Sequence, residues 1–157
     1  MSPPAIRVGL ISDTHGLLRP EALRELQGSD IIIHAGDIGR PEIVQALAQI
    51  APTFAVRGNI DYGDWVAAFP STQVVEAGGL RFFVLHDVAL LDIDPAKEGF
   101  AAVVFGHSHK PAVETRAGVL FFNPGSAGPR RFTLPVTVGR ATVSGRHIRP
   151  EIVHLPV

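Results

Sequence analysis

The chain has 157 residues, 46% apolar and 18% charged, enough to build one domain around a sizeable core and far from the composition of disordered segments. Its 14 basic and 15 acidic residues leave a formal charge of -1, which excludes a broad electrostatic footprint for nucleic acid or anionic membrane. With no cysteine, disulfides, thiolate metal sites, iron–sulfur clusters and cysteine nucleophiles are all ruled out, so any metal must be held by His, Asp, Glu or Asn.

In chain order, Ile6–Ile11, Ile31–Ile33 and Thr53–Val56 read as short buried strands. Between them, Pro20 and Pro41 open amphipathic segments suited to helices, since proline fits a first helical position. Strand and helix alternating over the first third predict right-handed crossovers and a parallel sheet. After Pro70 the pattern turns antiparallel: Thr72–Glu76 and Leu80–Leu85 flank Gly78-Gly79, and Val113–Thr115 and Val119–Phe122 flank Ala117-Gly118. Asp94-Pro95 is expected to cap a short helical stretch, Ala101–Phe105 is a fully apolar strand, and Pro135–Thr142 and His147–Val153 close the chain as β. The longest uncharged run, Ile43–Val56, is broken by Gln45, Gln49 and Pro52 and falls short of the ~20 apolar residues of a membrane helix. Arg7 and Asp13 bracket too short an apolar run for a signal peptide, so a cytoplasmic address is expected. No linker or repeat divides residues 1–157, which predicts a single α/β domain with two sheets packed face to face and helices outside.

Five of the strands end in residues of metal-ligand type. Ile11 leads into Asp13 and His15, Ile33 into Gly36-Asp37, Val56 into Gly58-Asn59, Leu85 into His86, and Phe105 into Gly106-His107-Ser108-His109. Open α/β sheets bind ligands beyond the carboxyl ends of their strands, so the five segments can converge. In extended backbone, residues two apart share a side, which pairs Asp13 with His15 and His107 with His109. Seven ligands serve two four-coordinate metals if one carboxylate, Asp13 or Asp37, is shared. Oxygen and imidazole without thiolate suit Mn²⁺, Fe, Zn²⁺, Ni²⁺ or Co²⁺ better than Ca²⁺. Two such ions ~3.5–4 Å apart would hold a hydroxide for in-line attack on a phosphoryl group.

These residues, with His34-Ala-Gly-Asp37, Arg57-Gly-Asn-Ile-Asp61, Gly106-His-Ser-His-Lys-Pro111 and Asn123-Pro-Gly-Ser126, resemble the calcineurin-like metallophosphoesterases, in particular the compact bacterial and archaeal phosphodiesterase branch. The resemblance spans roughly Ile6 to Val153. It implies a four-layer αββα sandwich of two mixed sheets flanked by helices. It also implies that Asp13, His15, Asp37 and His109 hold one divalent ion while Asp37, Asn59, His86 and His107 hold the other, with Asp37 the bridge. Manganese is the first choice of metal, and Asp37, Asn59 and His86 are the catalytic candidates.

Two positions depart from the superfamily pattern. Ile60 stands where phosphomonoesterase branches carry a histidine that protonates the leaving group or steadies the phosphoryl oxygens, and Asp87 stands where glycine often follows the histidine. Without that acid, the expected activity is hydrolysis of small phosphodiesters, with a phosphomonoesterase or nucleotidase as the alternative. A non-catalytic scaffold, the role of the retromer subunit of this fold, is a third reading. Asp61 and His34 are expected beside the ligands, and Arg57, Arg130 and Arg131 as substrate contacts. Asp92 and Asp94 read as loop and cap residues, Trp65 and Phe69 as packing, and His147 and His154 as surface. The expected partner is the small phosphodiester alone, with no membrane; self-association is left open.

Overall fold

A computed structural model describes residues 4–157. Ten strands form two five-stranded mixed sheets. The first has the order β10-β9-β1-β2-β3, built from β1 (Ile6–Ile11), β2 (Ile31–His34), β3 (Thr53–Ala55), β9 (Thr137–Ser144) and β10 (His147–His154). The second has the order β4-β5-β6-β8-β7, built from β4 (Thr72–Ala77), β5 (Leu80–Leu85), β6 (Ala102–Val104), β7 (Ala112–Arg116) and β8 (Val119–Asn123). In the first sheet β1, β2 and β3 are parallel, as the strand–helix alternation predicts. The C-terminal hairpin then returns to this sheet, with β9 pairing antiparallel to β1.

The apolar runs divide by alternation between two faces. Val8, Leu10, Ile33, Phe82, Val84, Ala102, Val104 and Phe122 point between the sheets into one core. Ile11, Ile32 and Val138 point outward and are covered by Leu26 of α1 (Pro20–Leu26) and by Ile43 and Leu47 of α2 (Pro41–Ala48). Both helices carry proline in the first turn with an acidic residue after it.

The fold is therefore the expected two-sheet sandwich, with one difference of detail. The outer face of the second sheet, Phe83, Leu85, Val103 and Phe121, is covered by Val88, Leu91, Ile93 and Phe100 from an irregular segment. Asp94 does accept the Lys97 amide at 3.3 Å, but Gly99 takes φ 82° and Phe100 bonds back to Pro95 at 2.9 Å, so the expected short helix closes as a turn. Trp65 and Phe69 pack edge to face at 5.9 Å against the helical core.

Candidate metal centre

The loops that follow β1 and β2 are stitched together as an extension of the sheet. The Asp13 amide donates to the Gly36 carbonyl at 3.0 Å and the His15 amide to the Asp37 carbonyl at 2.9 Å. On the second sheet the Gly106 amide donates to the His86 carbonyl at 2.9 Å, joining the ends of β5 and β6. Seven non-glycine residues among those described have positive φ, and five of them are Asp13, His15, Asp37, His107 and His109. Each left-handed residue costs on the order of 1 kcal/mol, a cost that persists where surroundings over-determine a functional geometry.

Two glycines permit the close packing. A Cβ on Gly58 would collide with the amide nitrogen and Oδ1 of Asp37, and one on Gly106 would collide with Ser12 Oγ and Asp13 Oδ2.

Each buried carboxylate is tied by one oxygen and offers the other. Asp13 Oδ2 accepts from Ser12 Oγ at 2.9 Å and from the His107 amide at 3.2 Å, leaving Oδ1 buried without a partner. Asp37 Oδ1 accepts the Ile60 amide at 3.1 Å, while Oδ2 lies 3.2 Å from His86 Nε2 and 3.4 Å from His15 Nε2. Asp13 Oδ1 lies 3.5 Å from His109 Nε2, 3.8 Å from His86 Nε2 and 3.9 Å from His15 Nε2. Close as these atoms are, the Nε2 atoms of His15 and His86 make no hydrogen bond, and His109 Nδ1 is also buried and unpartnered.

Such spacings match the edges of a coordination polyhedron, about 3.3 Å for a tetrahedron with metal–ligand bonds of ~2.0–2.1 Å. Two groups, Asp13 with His15 and His109, and Asp13 with Asp37 and His86, each bring their ligand atoms within 4.8 Å of one another. His86 Nδ1 donates to the Ala35 carbonyl at 2.8 Å, which fixes the tautomer with the Nε2 lone pair facing the carboxylates. Orphaned buried polar atoms cost ~1–3 kcal/mol each in a folded chain, and bound divalent cations would satisfy those that face the carboxylates. The residues fit a metal.

Electrostatics agree with that reading. Burial disfavours charge on both partners of the Asp37–His86 pair, yet their mutual attraction, helped by the Ile60 amide and by Asp13, outweighs it: Asp37 is lowered and His86 raised. His109 is lowered, by burial first and by the nearby Arg131 charge, against the pull of Asp13.

Asn59 and His107 complete the set on an open side. Both are exposed, and Asn59 Oδ1 lies 3.1 Å from His107 Nδ1, a separation that serves a hydrogen bond or two ligands of one ion equally well. A cleft of about 420 Å³ runs from them past His86 and includes Arg57, whose guanidinium donates to the Phe69 carbonyl at 2.9 Å. Arg130 is directed elsewhere, to the main-chain oxygens of Leu134 and Val157.

Asp61 accepts the amides of Ile38, Gly39 and Gly58 at 2.8–3.0 Å, so it fastens the Asn59 loop to the Asp37 loop. His34 is fully buried. Its Nδ1 accepts the Gly36 amide, so Nε2 carries the proton and donates to Thr14 Oγ1 at 3.0 Å, and Thr14 donates to Ile38 at 2.8 Å. Burial, only partly offset by Asp13 and Asp61, pushes the His34 pKa down to about 4 and keeps the ring neutral. His147 and His154 are exposed at the ends of β10.

Sequence reasoning missed the supports. Ser126 donates to the Asp13 carbonyl at 3.1 Å, and Asn123 donates to Gly106 and Ser108 while accepting from Gly125. Their only signal was membership in the Asn123–Ser126 signature. Ser12 and Thr14, which flank the motif aspartate, carried none.

The two-sheet sandwich is that of the phosphoesterases, and the chain belongs to the calcineurin-like phosphoesterase superfamily, whose domain matches residues 6–146. It is 32% identical over 132 residues to a probable metallophosphoesterase of Methanocaldococcus jannaschii, covering 76% of this chain and 67% of that one. It is 30% identical over 160 residues to a probable metallophosphoesterase of Methanothermobacter thermautotrophicus, covering 93% and 91%. A predicted phosphoesterase of Streptococcus pneumoniae superposes with TM-score 0.77 at 25% identity, over 98% of this chain and 91% of that one. Likeness of fold alone, also at TM-score 0.77, extends to an archaeal phosphodiesterase (23% identity; 94% and 100% covered) and to vacuolar protein sorting 29 of Cryptosporidium parvum (21%; 96% and 98%).

Proposed function

We propose that residues 1–157 act as one domain, a dinuclear-metal phosphodiesterase for small phosphodiesters. The observation that carries this reading is that His15 Nε2 and His86 Nε2, buried without hydrogen-bond partners, face Asp37 Oδ2, while the equally unpartnered Asp13 Oδ1 faces the Nε2 atoms of His15, His86 and His109. Asp13, His15, Asp37 and His109 would hold one ion, and Asp37, Asn59, His86 and His107 the other, with Mn²⁺ the first choice. Bound there, two divalent ions supply Lewis acidity that lowers the pKa of a water and neutralises charge on phosphoryl oxygens.

The chain's own residues do the rest. Ser12, the His107 amide and the Ile60 amide hold the two carboxylates so that one oxygen of each faces inward. Ala35 orients His86 through Nδ1, and the exposed Asn59 and His107 border the cleft through which an ester would enter.

No side chain of the Asn59 loop supplies a proton to a departing alcohol. Ile60 has none to give, and both oxygens of the Asp61 carboxylate are occupied by three amides. This supports diesters, whose attack a monoester's second negative charge does not oppose, and esters with good leaving groups. The diester reading draws further support from the archaeal neighbour described as a phosphodiesterase and from a phosphodiesterase of Methanocaldococcus jannaschii that is 24% identical over 139 residues.

The test is a comparison of bis-p-nitrophenyl phosphate with p-nitrophenyl phosphate after loading with Mn²⁺. Faster turnover of the diester is expected; equal or faster monoester turnover would favour the nucleotidase alternative. The fold shared with vacuolar protein sorting 29 supports a second reading, an interaction scaffold, whose signature is a chain that retains no metal and hydrolyses neither ester.

A further inference from the structure

The cleft beside Asn59, His86 and His107 is not a second phosphate site. Beyond the candidate ligands its polar lining is Arg57, Ser71, Thr72, Asp87 and Asp92, with Leu90 standing 74% exposed at its edge over a floor of Leu85. Two carboxylates against one guanidinium leave this half of the cleft net negative, so a second phosphoryl group would meet repulsion there. Asp92 makes no hydrogen bond or ion pair among the described residues, whereas Asp87 accepts the Ala89 amide at 3.0 Å through Oδ1 and has Oδ2 3.9 Å from His107 Nε2. Arg57 spends one nitrogen on Phe69 and keeps donors free. Free carboxylate acceptors, two hydroxyls, one guanidinium and an apolar edge suit a neutral group rich in hydroxyls, because carboxylates accept from vicinal hydroxyls as they do from ribose. The same net charge draws a cationic amino alcohol, with Arg57 opposing it only in part, so the phosphocholine ester is the competing case in the test.

We propose that this cleft binds the alcohol half of the substrate, and that this half is an uncharged, hydroxyl-bearing group of the ribose or glycerol type; the proposal rests on the phosphodiesterase reading above. The volume of about 420 Å³ falls within the range of small-ligand sites.

The test holds the leaving group constant. Mn²⁺-loaded protein is given p-nitrophenyl esters of uridine 5′-phosphate, of its 2′,3′-dideoxy analogue and of phosphocholine, with bis-p-nitrophenyl phosphate as reference. The uridine ester should exceed the dideoxy ester in kcat/KM by about tenfold, the scale of one lost hydrogen bond to a charged acceptor, and Asp92→Ala should reduce that ratio to near one. A second readout needs no turnover: in amide NMR of the metal-free protein, uridine should shift Ser71, Thr72 and Leu90–Asp92, and dideoxyuridine should not. Equal rates for the two nucleoside esters, preference for the phosphocholine ester, or an unchanged ratio in Asp92→Ala would overturn the proposal while the diesterase reading stands. Failure to hydrolyse the reference diester would instead bring down that reading, and this proposal with it.

Discussion

Asp13 is fully buried, has one oxygen without a partner, and lies in a group whose carboxylate oxygens come within 4.8 Å of each other. In the absence of cations the two carboxylates repel each other, with only His86 beside them as a partial counter-charge, and both aspartates are held by strained backbone. Asp13→Asn keeps an oxygen to accept from Ser12 and His107 and turns an amide toward the histidine lone pairs. The metal-free variant should therefore be more stable than wild type by about 1–2 kcal/mol, a gain of several degrees in Tm, while metal-dependent hydrolysis is lost. Calorimetry on the two metal-free proteins measures this, and a Tm that falls would show that Asp13 serves the fold more than the site. At this scale the sequence was informative about which residues matter and silent about their conformation. Residue type and the two-residue spacing marked Asp13, His15, His107 and His109, but the spacing argument assumed extended backbone, whereas all four have φ between 47° and 73°. What brings them together is the curl of each loop against its neighbour, which for Asp13 and His15 the Gly36 and Asp37 carbonyls fix across 23 and 22 residues of chain. Asp61 illustrates the same limit: the motif set it beside the ligands, and only the three amides around it identify a fastener.

Among the elements, the strand-end loops were the most legible, because each is a hydrophobic run that stops at glycine or a polar ligand. Their mutual support was not. Gly58, in sequence only the neighbour of Asn59, is the point at which the Asn59 loop packs on the Asp37 backbone. Since a Cβ there meets a main-chain nitrogen that no rotamer change can move, Gly58→Ala should destabilise the protein by about 2–4 kcal/mol and displace Asp37 and Asn59 together. Denaturant unfolding and a metal-binding titration check both effects; an alanine variant with wild-type stability and affinity would mean that the two loops are not coupled here. The segment after β5 shows why helix signals can mislead. Asp94-Pro95 is a sound helix start, but Gly99 and the docking of Phe100 on Phe83, ring centroids 5.3 Å apart, end it within one turn. Packing of the irregular segment on the second sheet prevails over local propensity.

For the molecule as a whole, periodicity separated a parallel front from an antiparallel back, but it could not assign strands to sheets. The return of β9 to pair with β1 is a contact between residues 129–137 positions apart, set by the edge that β1 left free rather than by any local signal. That return closes the first sheet behind the Asp13 loop, with Ser126 and Thr137 linking β9 to the site. Net charge proved equally uninformative about substrate: a chain at -1 can attract an anion if it binds cations at one end of its sheets. Among the described residues no helix is long and apolar enough to cross a membrane. The central claim is thus that the loops at this end hold two ions and that those ions are required for hydrolysis. Titrating metal-free protein with Mn²⁺, while following bound metal by elemental analysis and hydrolysis of bis-p-nitrophenyl phosphate in parallel, tests it most directly. Two ions should bind per chain and activity should rise with them, both being lost in Asp37→Ala without unfolding. A wild-type chain that binds no Mn²⁺, or an Asp37→Ala variant that binds and hydrolyses normally, would contradict it.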